Sequence, residues 1–355
     1  MLRIIRLLLV VSLISLTACV HVQDSLFDAG LKVERSMSGL ELQHMSVADH
    51  DWTYLDSAPE DGSKPVLLML HGFAVDKDNW LRFARSFDDY RVIAPDLPGH
   101  GETSYNPEFT YDFVQQAVWL DGFTEALALN DLHIMGNSMG GGIALMYSYG
   151  RPDKVQSITL IDAAGVHPPK KSDLQKIIDN GGKNPLIVNS VEDFDALRNF
   201  AMVKQPFLPW PASNVLARRA QARQAINTKI FADIHAMAEQ AKNSDDNLKM
   251  LQQIHQPVLI LWGEKDRALD VSSVAVFEQH LSDSRSFIFP DLGHAPMLES
   301  PDESAELVLE FVESVEKQAK KAQAKTSDKN QLSVAQKLAT VMQPKEDSVE
   351  RLSQE

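Results

Sequence analysis

The sequence predicts an α/β protein built on a mainly parallel sheet with helices on both faces. Three observations predict it. Short, continuous apolar runs recur at 66–70, 91–95, 132–135, 155–161 and 257–263, and continuous runs suit parallel strands buried on both faces. Stretches of helical periodicity separate most of them. Several runs end in turns carrying His, Asp or Ser, at the carboxyl edge where parallel sheets build their sites. The chain has 355 residues and is 44% apolar, enough for one large domain or two average ones.

Taken in order, 51–55 alternates like a strand and 66–70 is the first buried one, ending in His71-Gly72-Phe73. A helical pattern covers 79–87. The strand at 91–95 closes in Asp96-Leu97-Pro98-Gly99-His100-Gly101, and 110–129 is helical. The strand at 132–135 runs into Gly136-Asn137-Ser138-Met139-Gly140, with a helix over 143–149. The next strand, 155–161, closes in Asp162-Ala163-Ala164-Gly165. The alternation then breaks. Residues 166–250 show no convincing buried strand but helical pieces at 192–203, 212–226 and 229–242, and read as an inserted helical cap. The sheet resumes at 257–263, followed by a helix (271–281), a strand (286–289) and a helix (302–318). The core is therefore 51–165 with 251–318. Residues 319–355, rich in Lys, Gln, Ala, Ser and Glu, read as a disordered or loosely helical tail.

The N-terminus reads as a secretory signal. Arg3 and Arg6 precede the apolar run 7–16, and Leu16-Thr17-Ala18-Cys19 is similar to the bacterial lipobox. That resemblance implies a signal peptide at 1–18 and lipidation of Cys19. Residues 19–50, mixed and polar, read as a tether plus a first helix or strand. The implied place is the bacterial cell envelope, lipid-anchored with the outer membrane favoured, or secreted. Cys19 is the sole cysteine, so no intrachain disulfide can form. The net charge of −15 argues against nucleic acid as a partner, which would need a basic stripe.

The stretch 136–140 is G-x-S-x-G between a strand and a helix, the setting of a nucleophile elbow. A serine there needs small neighbours because strand and helix pass closely. Its hydroxyl also needs a base, and the base an orienting acid. In this context the order is Ser, Asp, His. His294 lies just past the last strand and is the candidate base; His167, His235, His255 and His280 read as surface groups. Asp266, after the strand ending at Trp262, is the candidate acid, with Asp162 as its rival and Glu264, Asp270 and Asp291 behind. The candidate oxyanion donors are the backbone N–H groups of Met139 and Phe73. His71 reads as a structural turn residue. No metal-ligand cluster is evident, and this chemistry needs no cofactor.

With these residues in hand, the chain over about 50–315 resembles the α/β-hydrolase superfamily, and within it the family V bacterial lipases, including cold-adapted triacylglycerol lipases, and the related monoacylglycerol lipases. The resemblance rests on His71-Gly72-Phe73, Asp96 to Gly101, Gly136 to Gly141, Gly263-Glu264-Lys265-Asp266 and Gly293-His294. It extends to the cap at Asn184 to Ser190 and Glu192-Asp193-Phe194. It implies a serine ester hydrolase acting on lipid or other apolar acyl esters, with the membrane as partner through Cys19. One departure is Ala74, where such lipases often carry a second glycine. Ser138 argues against haloalkane dehalogenases and epoxide hydrolases, which place an aspartate at the elbow. Two alternatives stay open: a C–C hydrolase, and a non-catalytic lipoprotein that binds an acyl ligand. The piece 207–210 of the cap is expected either to line an acyl pocket or to pack the cap onto the core.

Overall fold

The computed structural model describes residues 2–59, 62–242 and 244–341. Two compact units divide the chain at Leu309/Glu310. The second unit shows helical backbone from Glu310 through Val341; residues 342–355, the end of the expected tail, lie outside the described residues.

The first unit is organised on one eight-stranded sheet. In chain order its elements are α1 (Leu2–Met37), β1 (Glu41–Val47), β2 (His50–Asp56) and β3 (Val66–Leu70). A 3-10 turn (Lys77–Trp80) then leads into α2 (Leu81–Ala84), β4 (Arg91–Pro95), α3 (Phe113–Ala126), β5 (Leu132–Asn137), α4 (Met139–Gly150) and β6 (Val155–Ile161). Five helices follow: α5 (Asp173–Asp179), α6 (Asp193–Ala201), α7 (Ala212–Ala222), α8 (Gln224–Ala241) and α9 (Asp246–Leu251). The chain continues with β7 (Val258–Gly263), α10 (Ser273–His280), β8 (Ser284–Phe289) and α11 (Pro296–Glu299); of α12 (Pro301–Val341), residues 301–309 belong to this unit. The strand order is β1-β2-β4-β3-β5-β6-β7-β8. β1 and β2 pair antiparallel, as do β2 and β4, and all other neighbours are parallel. Every residue of β3, β4, β5 and β7 is buried, which is why these strands read as largely apolar runs.

Three local differences from the sequence reading have physical causes. The pattern at 79–87 is a 3-10 turn plus a short helix. Asp76 caps it by accepting the Asp78 N–H at 3.0 Å, and the chain leaves it at Arg85. The two helices expected at 212–226 and 229–242 meet at Arg223, whose guanidinium turns inward to the carbonyls of Gly99 and Gly101. Residues 20–37, expected as a tether leading into a first helix or strand, lie on one long helix. Arg218 and Arg219 of α7 pair with Asp24 and Asp28 at 2.6 and 2.7 Å, and Arg35 grips Asp78 through two 2.7 Å bonds. Among the described residues no helix is long and apolar enough to cross a membrane.

The turn after β4 shows why Asp96 to Gly101 has its spelling. Asp96 is fully buried and accepts from the Lys77 N–H, the Lys77 ammonium and the Glu102 N–H, each at 2.8 Å. Gly101, at φ +50°, leaves the space the carboxylate fills: a Cβ there would lie 2.1 Å from Asp96 Cγ. Burial works against the Lys77 charge, but Asp96, Asp78 and Asp76 outweigh it and hold its pKa above the usual lysine range. Lys77→Met would leave Asp96 buried and unpaired, so a stability loss of about 3–5 kcal/mol is expected. Urea unfolding checks it, and a loss below about 1 kcal/mol would refute the pairing as a stabilising contact.

Candidate active site

The elbow forms where β5 turns directly into α4. Ser138 sits at φ 54°, ψ −116°, a left-handed conformation that a serine adopts only under constraint. The constraint comes from neighbouring backbone. A Cβ on Gly136 would lie 2.2 Å from the Gly140 carbonyl, and one on Gly140 would lie 2.2 Å from Leu70 O. The Ser138 N–H donates to Ile161 O at 3.0 Å, and its carbonyl accepts from Gly141 and from Ala164, each at 3.0 Å. Strands β3 and β6 thus clamp the turn from both sides and leave the serine half-buried.

The loop after β3 lies against this turn. A Cβ on Gly72 would be 3.4 Å from Ser138 Cβ and 2.9 Å from Asn137 Oδ1. His71 fastens the loop: its Nδ1–H donates to Gly72 O at 2.8 Å and its Nε2 accepts the Leu97 N–H at 2.9 Å. Burial pushes this imidazole down to about 4, so it stays neutral and keeps that tautomer. Ala74 occupies φ 61°, a left-handed position, so the departure from glycine leaves the turn left-handed and adds strain. Among the described residues no protein acceptor takes the Phe73 or Met139 N–H. The Met139 N–H also belongs to the first turn of α4, where helix donors are unsatisfied and the dipole favours negative charge.

Asp266 and His294 come from the loops after β7 and β8. Asp266 is buried. Its Oδ1 accepts the Ala268 and Leu269 N–H groups at 2.7 and 3.1 Å, and its Oδ2 accepts from His294 Nδ1 at 2.7 Å. That last bond leaves Nε2 of His294 for another partner. Asn137, the residue before Ser138, ties the elbow to the histidine: its Nδ2 donates to Ile161 O and to His294 O, each at 3.1 Å. Asp162 stands beside the pair, and the sites on Asp162, Asp266 and His294 lie within 4.8 Å of one another. Among the described residues this trio could gather on a metal ion. The Asp266–His294 separation instead matches a hydrogen bond, since two ligands of one tetrahedral zinc sit about 3.3 Å apart.

Glu299, which sequence reasoning missed, braces the histidine loop. One carboxylate oxygen accepts the N–H of Gly293 at 2.9 Å and of Ala295 at 3.3 Å. The other accepts Val203 and Lys204 at 2.7 and 2.8 Å. His294 N–H also donates to Ala201 O at 2.7 Å. The end of α6 is therefore joined to the loop carrying His294. Nothing in the sequence marks Glu299, because two of its four partners, Val203 and Lys204, lie almost a hundred residues away in the chain. Helix α8 packs on the other side of the site, with Phe231 in edge contact with Phe73 at 5.7 Å. The expectation for 207–210 needs correction. Phe207 and Trp210 are 77% and 68% exposed, so these rings neither line a pocket nor pack the helices onto the sheet. Both lie in the proline-rich stretch before α7, which carries Pro206, Pro209 and Pro211.

Comparison with known proteins places the chain. Residues 65–301 match the model of the alpha/beta hydrolase fold family, and the chain belongs to that family. It is 31% identical to Lipase 1 of Psychrobacter immobilis over 280 residues, covering 78% of this chain and 85% of that one. It is 29% identical to a monoacylglycerol lipase of Xenopus laevis, covering 79% and 85%. Among solved structures it superposes on a membrane phospholipase A, described as a bacterial virulence factor. That match has a TM-score of 0.79 at 38% identity and covers 89% of this chain and 99% of the other.

Glu299→Leu is expected to strand four backbone donors, lower stability by about 2–4 kcal/mol and expose residues 201–205 to limited proteolysis. An unchanged melting temperature and an unchanged cleavage map would show that the brace is dispensable.

Proposed function

We propose that the protein is a carboxylic ester hydrolase that cleaves acyl esters of glycerolipids at a membrane surface through a covalent acyl-enzyme. The observation that carries this reading is the 2.7 Å Asp266–His294 bond, fixed through Asn137 next to a serine held at φ 54°. Ser138 Oγ attacks the ester carbonyl while His294 takes its proton through Nε2. Asp266 holds the imidazole in the tautomer with its proton on Nδ1 and stabilises the imidazolium that forms. The Phe73 and Met139 N–H groups receive the oxyanion. His294 then protonates the leaving glycerol oxygen, and water, deprotonated by His294, releases the fatty acid.

The relatives named lipase, monoacylglycerol lipase and membrane phospholipase A share one bond type, an acyl ester on a glycerol backbone, and that is the substrate class proposed here. Residues 166–250 act as a cap over the carboxyl edge of the sheet, excluding water from the oxyanion. The N-terminus anchors the enzyme to the cell envelope through an acylated Cys19 after removal of 1–18, and Cys19 is exposed. Phe207 and Trp210 on the cap, with Leu26, Val33 and Met37 on α1, are exposed apolar groups suited to an acyl-chain interface.

Ser138→Ala is expected to cut hydrolysis of a panel of mono-, di- and triacylglycerols and diacyl phospholipids by about 10³-fold or more, with melting unchanged. It should also abolish labelling by a fluorophosphonate. Near-normal turnover in this variant would overturn the nucleophile assignment. Unlabelled, inactive wild-type protein that still binds fatty acid would favour a binding protein instead.

The interfacial reading has its own check. Trp52, Trp80, Trp119 and Trp262 are all buried, so Trp210 is the tryptophan that lipid can reach. The full chain on vesicles of brominated phosphatidylcholine should lose the Trp210 share of its emission, and Trp210→Phe should lose the effect. Emission indifferent to the brominated chains would exclude insertion of this loop.

A further inference from the structure

Asp162 is a fully buried carboxyl group at the site that the ester-cleaving steps leave without a role. It follows β6 at φ 43°, a left-handed conformation unfavourable for aspartate. That backbone turns the side chain under the end of β7, where Oδ1 accepts the Gly263 N–H at 2.9 Å. Oδ2 is buried and meets no donor. What faces it is Asp266, whose oxygens already accept Ala268, Leu269 and His294. The other charged group close by is Glu299, and among these residues His294 alone can become a cation. Two ionised carboxyl groups in one dry site repel strongly, and one of them gives way by holding a proton.

We propose that Asp162 is held as a neutral carboxylic acid and donates its Oδ2 proton to Asp266, making it the positioning residue behind the Asp266–His294 pair. The inference rests on the reading of Asp266 and His294 as acid and base. One proton answers both anomalies: the orphaned oxygen becomes a donor, and a like-charge contact becomes a hydrogen bond. Burial first, and then the Asp266 charge, push the Asp162 carboxyl well above the ordinary range, in line with this state. The Gly263 N–H fixes the acid from one side, so Asp266 is gripped from the sheet as well as from its own loop. The added donor draws charge off Asp266 and limits how far it favours the imidazolium.

The test measures kcat/KM against pH on a soluble short-chain ester for the wild type, Asp162→Asn, Asp162→Leu and Asp266→Asn. Asparagine reproduces both bonds of the neutral acid, donating to Asp266 and accepting from Gly263. It is expected to stay within about tenfold of wild type with its acidic limb unmoved. Leucine removes the donor, so a loss of about 10²-fold is expected, with the acidic limb displaced upward by about half a pH unit or more. A limb that moves downward in Asp162→Asn would mean that an ionised Asp162 has lost its charge, and would overturn the proposal. So would an unmoved limb in a folded Asp162→Leu, which would make the residue structural only. If the leucine variant fails to fold, the infrared band of a protonated carboxylic acid at pH 8, lost in Asp162→Asn, decides the matter, and its absence from the wild type refutes the proposal. A tolerated Asp266→Asn beside a crippled Asp162→Asn is a different failure: it would assign Asp162 as the acid and overturn the reading beneath.

Discussion

The crossing of β5 and α4 is so close that the backbone of Gly140 occupies the space a side chain on Gly136 would need, while Leu70 O occupies the space beside Gly140. The start of the helix is wedged into the angle between β5 and β3. The residue between strand and helix has no conformation left but the left-handed one, so Ser138 is strained by its neighbours. A cost of about 1–3 kcal/mol for such a conformation is small against a sheet whose central strands are wholly buried. The strain orients the serine away from the strand and leaves the N–H of Met139 at the open end of the helix. Nucleophile and candidate oxyanion donor therefore follow from one steric fact.

The same economy of space sets the other half of the site. A Cβ on Gly263 would fall 1.9 Å from Gly293 O, so the loops after β7 and β8 lie directly on one another. That contact brings Asp266 to His294. The histidine loop is then tied in two directions, to the elbow through Asn137 and to the end of α6 through Ala201 and Glu299. Displacement of 201–204 would strain the loop that carries His294 before it strained the serine. The helical insertion thus bears on the base through hydrogen bonds, whereas it meets the oxyanion loop through the Phe231–Phe73 ring contact.

What the sequence made legible follows from this. Gly136, Ser138, Gly140, Gly72, Asp96 and Gly101 answer to backbone collisions within a few residues or across adjacent strands, and such demands leave fixed spacings. Asp266 could be found because it lies just past a strand with an unbroken apolar pattern, and His294 because it lies just past the last strand, whose end at 287–289 is apolar. The sheet itself was readable except at its edge, where β1 is half-buried and mixed in composition because only one side of it pairs. Asn137, Glu299 and the position of Asp162 were not legible. Each has at least one partner distant in the chain, and a carboxylate that accepts four N–H groups looks in sequence like any surface glutamate before a helix. The exposure of Phe207 and Trp210 was equally hidden, since an aromatic, proline-rich stretch reads the same whether it faces the core or solvent.

Buried acids recur through the first unit, and each is neutralised differently. Asp56 has Arg91 through two bonds at 3.0 and 2.6 Å, and Asp96 has Lys77. Glu299 has four backbone N–H groups and Asp266 has two plus an imidazole. Each solution supplies donors to a charged oxygen in a medium where an unmatched charge is costly. Asp162 has one N–H and then only another acid. The pattern set by its neighbours makes it the exception. An exception held in a strained backbone conformation beside the candidate base is hard to account for as packing alone, since an apolar residue would fill the same space without the electrostatic cost.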